Sequence, residues 1–159
     1  MTVGTPTVSE PMNENELSKI ILDAAFKIHT RLGPGLLETV YEVVLAHELR
    51  KVGLTVERQV PIPIRYDELV FEEGFRADLI VNGKVVVELK SIESLARVHS
   101  KQVLTQLRLS GHKLGLLVNF GEFHLKNGIE RIVNGLPDEG GPSFGSKLRS
   151  FFASFAFFT

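Results

Sequence analysis

Asp78, Glu88 and Lys90 fall within one short run, RADLIVNGKVVVELKS, the second acid ten and the lysine twelve positions after the first. Carboxylates brought to one point suit a hard divalent cation such as Mg²⁺, which takes oxygen ligands and keeps waters that a phosphate substrate can displace. A lysine two residues beyond the second acid lies on the same face of a strand, where it can orient or deprotonate an attacking water. Residues of these types at this spacing point to metal-assisted hydrolysis, provided that the chain brings them together.

The elements that must do so read as a hairpin. Val85, Val86, Val87 and Leu89 make KVVVELKS apolar on both faces, as expected of a central strand covered on each side. Asn82-Gly83 marks the turn before it. A two-residue loop there would pair Val81 with Lys84 and Asp78 with Val87, sending Asp78 and Glu88 to opposite faces. A loop of odd length, such as a three-residue turn with a glycine bulge, sends Asp78, Glu88 and Lys90 to the same face. The odd loop is the expectation, against the simplest reading of Asn-Gly. Glu88 is then an acid in a buried strand, which costs free energy unless a cation or a basic group compensates it.

Around the hairpin, Asn13 followed by Glu16 forms a capping-box pattern, and Leu17, Ile20, Ile21, Ala24, Ile28 and Leu32 recur at helical spacing. A first helix over 14–31 follows, stopped by Gly33 and Pro34. Leu37, Val40, Tyr41, Val44, Leu45, Leu49 and Val52 make a second helical stripe ending at Gly53, with Glu38 in its first turn. VERQVPIPIRY is extended, and because Pro61 and Pro63 lack backbone donors it is expected at a sheet edge or with a bulge. Tyr66-Asp67-Glu68 turns into a second strand ending near Val81. A third helix is expected over 95–110, closed by Gly111, with Val98, Val103, Leu104 and Leu107 packing and Gln102 and Gln106 on one face. LGLLVNF reads as a fourth, buried strand, and 122–134 as a last strand or short helix.

Composition fits one compact domain: 159 residues, 43% hydrophobic, no cysteine and a net charge of −1. The missing thiols exclude disulfides and thiolate metal sites and fit a cytoplasmic setting. No paired histidine spacing, secretory signal or apolar run near the ~20 residues of a membrane helix is present. Residues 1–75 carry 7 basic and 12 acidic side chains, and residues 76–159 carry 11 basic and 7 acidic. The basic half holds the Asp78–Lys90 run. The expected domains are a flexible 1–13, a folded 14–135, and a 136–159 linker and tail with five phenylalanines in its last nine residues.

Gly35-Leu36-Leu37-Glu38-Thr39-Val40-Tyr41 matches a GxxExxY signature, and LGPGLLETVYE, VERQ, RADLIV, VVVELKS and GLLVNFG follow in a fixed order over roughly 14–135. In these blocks the chain resembles the GxxExxY family, a widespread bacterial group of small proteins in the PD-(D/E)XK nuclease superfamily. The resemblance implies an α/β (α+β) fold: a restriction-endonuclease-like αβββαβ core with a mixed central sheet flanked by helices. It implies Mg²⁺ (or Mn²⁺) as cofactor and nucleic acid, DNA first, as partner, with no membrane and the oligomeric state open. Asp78, Glu88 and the Leu89 carbonyl would hold the metal, and Lys90 would position water. Glu38 would enter from the second helix as a further ligand or as an acceptor for metal-bound water. Gln102 matches the glutamine of a QxxxY-like motif, but Gln106 stands where tyrosine is usual.

Arg76, Arg97, Lys101 and Arg108 would hold flanking phosphates, and few aromatics lie near the site to stack on bases. Each residue also has an ordinary reading. Asp78 is placed to pair with Arg76, Glu38 is favoured by the helix dipole, Gln102, Gln106 and His99 are solvated or support the site from behind, and Tyr41 is core. The alternative function, on the same fold, is a non-catalytic module binding nucleic acid or protein through the acid-lined groove.

Overall fold

In the computed structural model, residues 10–136 are described. The expected phenylalanine-rich tail and the first nine residues lie outside them. Helix α1 (Glu14–Leu32) opens on a capping box in which the Glu16 N–H donates to Asn13 Oδ1 and the Asn13 N–H to Glu16 Oε2, each at 2.9 Å. It ends at Gly33, whose φ of 72° favours glycine. Helix α2 (Glu38–Lys51) follows a short loop. Strands β1 (Val56–Tyr66), β2 (Leu69–Val81) and β3 (Val85–Lys90) come next, then helix α3 (Arg97–Ser110) and strand β4 (Leu114–Asn119). The two alternatives expected after β4 occur in succession: a 3₁₀ turn over Leu125–Gly128 runs into strand β5 (Ile129–Val133).

The five strands form one mixed sheet in the order β1-β2-β3-β4-β5, with β3 and β4 parallel and the other neighbours antiparallel. The run from α2 to β4 has the expected αβββαβ order. β1 is an edge strand with a register shift between Ile62 and Ile64, around the proline that cannot donate. Helices α1 and α2 cover one sheet face: Leu17, Ile21, Ala25, Tyr41, Leu45 and Leu49 pack on Leu79, Val85, Val87, Leu89, Leu116 and Val118. Helix α3 covers the other, with Val103 and Leu107 on Ile80, Val86 and Leu117. Each leucine, isoleucine or valine side chain so taken from water contributes about 1.5–3 kcal/mol. β3 and β4 are therefore central, and β4 is buried along its whole length.

Two expectations for α3 are corrected. It starts at Arg97 and not at Leu95, and Val98 is 51% exposed because it lines a groove with Leu109 and does not reach the sheet. Leu104 is partly buried against the α3-side core.

Where β3 and β4 end together, a hydrogen-bonded knot forms. Asn119, opposite Lys90 and fully buried, accepts from the Ile92 and Gly121 N–H groups (3.0 Å each) and donates to the Ile92 carbonyl (2.9 Å). Gly121 lies so close to Ile92 that a Cβ there would sit 2.1 Å from the Ile92 carbonyl oxygen. Gly121→Ala is expected to lower stability by roughly 1–3 kcal/mol in urea unfolding, as overpacking against backbone does.

Candidate active site

The β2–β3 hairpin decides the site. Leu79 pairs with Val87, Ile80 with Val86 and Val81 with Val85, leaving a three-residue loop of Asn82, Gly83 and Lys84. Asn82 and Gly83 take φ of 50° and 64°, and the Lys84 N–H donates to the Val81 carbonyl at 3.0 Å. Continuing the same register sets Asp78 opposite Glu88. The odd loop expected from the chemistry is the one present.

Asp78 Oδ2 accepts the Leu89 N–H at 2.9 Å, which locks the carboxylate of β2 against the backbone of β3. Lys90 Nζ lies 3.8 Å from Glu88 Oε1, with the two side chains only 24% and 15% exposed. Glu88 Oε2 is buried and has no hydrogen-bond partner. Burial, then the neighbouring Asp78 carboxylate, push the Glu88 carboxyl from 4.5 up to about 8, against the pull of Lys90. Asp78 is also raised, first by burial and then by the charges of Glu42 and Glu38, while the hydrogen bonds from Leu89 and Gln59 oppose the rise. Both acids thus sit where the ionised pair is disfavoured until positive charge arrives.

Glu38, exposed in the first turn of α2, bears on both acids through its charge. Among the described residues, no three acidic or histidine side chains are already gathered into a metal-holding group. Glu42, one helical turn after Glu38, is nearly buried and accepts from Arg58 Nε at 3.0 Å and from Gln59 Nε2 at 2.8 Å. The same Gln59 nitrogen lies 3.4 Å from Asp78 Oδ1. Glu42, Arg58 and Gln59 have no role among the expectations drawn from the sequence. The four-residue spacing from Glu38 to Glu42 was the available signal.

The other expected residues separate from this cluster. Gln102 and Lys101 line a groove of about 460 Å³ between α3 and the outer part of the β1–β2 hairpin, together with Ile64, Phe75 and Gln106. Gln102 has no hydrogen bond to the acids. Gln106, expected on the surface or supporting the site from behind, has its Oε1 buried without a partner. Arg76 is bound by Glu73 through two hydrogen bonds of 2.6 and 2.8 Å, which lower the Glu73 carboxyl, and it does not pair with Asp78. Arg97, Lys101 and Arg108 are exposed without ion-pair partners among the described residues. The His99 ring, expected in solvent or supporting the site from behind, accepts the Ala96 N–H at 2.9 Å and so caps α3. Tyr41 is core: its hydroxyl donates to the Gly33 carbonyl (2.6 Å) and accepts from the Leu36 N–H (3.1 Å).

This donor set fits a hard cation. It offers carboxylate oxygens, one of them buried and unpartnered, in surroundings that disfavour their charge when nothing compensates it. A family model for the PD-(D/E)XK nuclease superfamily matches residues 15–132, and the chain belongs to that superfamily. No curated protein and no solved structure matches the chain. No helix among the described residues is long and apolar enough to cross a membrane.

The raised Glu88 carboxyl has a consequence for stability. Its protonated form is favoured by folding, so its contribution is complete below 4.5 and is lost as pH rises towards about 8. In chelator, the midpoint of urea unfolding should fall across that window. Glu88→Gln should flatten the slope and be more stable than wild type by ~2 kcal/mol or more at pH 8.

Proposed function

We propose that this member of the PD-(D/E)XK nuclease superfamily is a metal-dependent nuclease that hydrolyses phosphodiester bonds, with DNA as the first substrate to test and RNA as the second. Within the superfamily we place it in the GxxExxY group, on Gly35, Glu38 and Tyr41. The observation that carries the functional reading is the register of the β2–β3 hairpin, which, continued one step past Leu79–Val87, sets Asp78 opposite Glu88, together with a buried Glu88 oxygen that has no partner.

Asp78, Glu88 and the Leu89 carbonyl would hold Mg²⁺ or Mn²⁺, with Glu38 accepting from the water around it. A bound cation supplies Lewis-acid charge to the phosphate and acidifies water. The residues do the rest. The Leu89 N–H keeps Asp78 Oδ2 turned towards β3, so that the carboxylate does not have to be oriented when substrate arrives. Lys90 Nζ, close to Glu88 Oε1, donates to the attacking water and to the charge that develops on the phosphate oxygens. Arg97, Lys101 and Arg108, with no acidic partner among the described residues, supply positive charge for flanking phosphates, a role to which Arg76 contributes less because Glu73 holds it.

The test incubates purified protein with linear DNA, circular DNA and RNA, each with Mg²⁺, with Mn²⁺ and with chelator. Cleavage should require the cation and fall by about 10²–10⁴ in Lys90→Ala, the range for a positioned proton-transfer group, and at least as far in Asp78→Ala and Glu88→Ala. Cleavage that survives these substitutions would reject the assignment. Cation binding without cleavage of any substrate would make the domain a nucleic-acid- or protein-binding module.

A further inference from the structure

Gln59 combines two features that neither the fold nor its strand position requires. It is a non-glycine residue with φ of 51° inside a strand, and Asp78, its expected partner across β1 and β2, drops out of the pairing while Arg58–Leu79 and Val60–Ala77 remain in register on either side. Left-handed backbone is costly for a residue with a side chain, and it persists where the surroundings impose it. The surroundings here are two carboxylates. Gln59 Nε2 lies 2.8 Å from Glu42 Oε2 and 3.4 Å from Asp78 Oδ1.

From this arrangement we infer that Gln59 is a positioning residue, whose amide fixes the Asp78 carboxylate for the cation and keeps it apart from Glu42. The inference rests on the metal-dependent reading above. An amide nitrogen carries two N–H donors and no charge, so it can bond both acids at once. Asp78 is then held at each oxygen, Oδ2 by the Leu89 N–H and Oδ1 by Gln59, and each oxygen keeps lone-pair capacity for a cation. Glu42 is kept out of that role. Its Oε1 is taken by Arg58 Nε at 3.0 Å and its Oε2 by Gln59, with the side chain 6% exposed. The left-handed turn of the backbone thus delivers the Gln59 amide between two acids on different elements, α2 and β2. Groups that orient a metal ligand in this way usually contribute 10–100-fold to metal affinity.

The test compares Gln59→Gly and Gln59→Ala with the wild type, reading Mn²⁺ affinity by calorimetry and Tm in chelator. Both variants lack the amide, whereas only glycine tolerates the backbone conformation without strain. Both should bind Mn²⁺ about tenfold or more weakly than wild type, and the glycine variant should melt above the alanine variant. Mn²⁺ affinity unchanged in both variants overturns the assignment, whatever happens to Tm, because a merely structural contact would lower Tm alone. A glycine variant melting at or below the alanine variant overturns the claim that the site imposes the backbone conformation. Wild-type protein that binds Mn²⁺ but cleaves nothing removes the nuclease reading and leaves the Gln59 comparison intact. Wild-type protein that binds no Mn²⁺ overturns both, and that result is read in the wild-type arm alone.

Discussion

Asp78 and Glu88 are like charges brought together on adjacent strands and half removed from water. Burial raises both carboxyls, joined at Glu88 by the charge of Asp78 and at Asp78 by those of Glu42 and Glu38; Glu88 rises to about 8, and Lys90 offsets only part of the cost there. Natural domains are stable by only about 5–15 kcal/mol, so an acid pair of this kind uses a substantial share of what the core provides. The hydrophobic layers on both sheet faces allow it. They also enforce it, since a one-residue slip of β2 against β3 would turn Leu79 and Val81 out of the core.

The elements around the pair hold it from several sides. The Leu36 carbonyl, in the loop before Glu38, accepts from Ser91 Oγ at 2.5 Å, directly after Lys90. The Leu36 N–H donates to Tyr41, whose ring stacks on Phe120 at 4.4 Å and 6°. The Phe120 N–H donates to the Lys90 carbonyl at 2.8 Å, beside the knot that Asn119 makes with Ile92 and Gly121. The start of α2, the end of β3 and the end of β4 are thereby one hydrogen-bonded unit. Glu38 and Lys90 belong to it and do not hang from mobile loops, which is how a site is kept within the small tolerance that chemistry requires.

Much of this was legible in the sequence where the signal was local. The capping box of α1, the glycine stops, the edge character of the proline-bearing β1 and the buried, mostly apolar β4 all follow from short-range rules. The hairpin loop was different, because Asn-Gly alone favours two residues, and only the demand that Asp78 meet Glu88 selected three. Contacts between distant segments stayed hidden. Nothing in VERQ announces that Gln59 would turn its backbone left-handed, or that Glu42 on α2 would lie against it. The Arg76–Glu73 pair is equally hidden, because a three-residue spacing outside a helix does not by itself signal a contact. Helical period points Val98 to the core, but period cannot tell a helix face turned to the sheet from one turned to an open groove.

The most direct test of the account is a carboxyl ¹³C NMR titration of Glu88 in metal-free protein and again with saturating Mg²⁺. The account predicts a midpoint near 8 without metal, well above the ordinary 4.5, and a fall of several pH units when Mg²⁺ is added. A midpoint near 4.5 that Mg²⁺ does not move would contradict it, because Glu88 would then be neither strained by Asp78 nor a ligand.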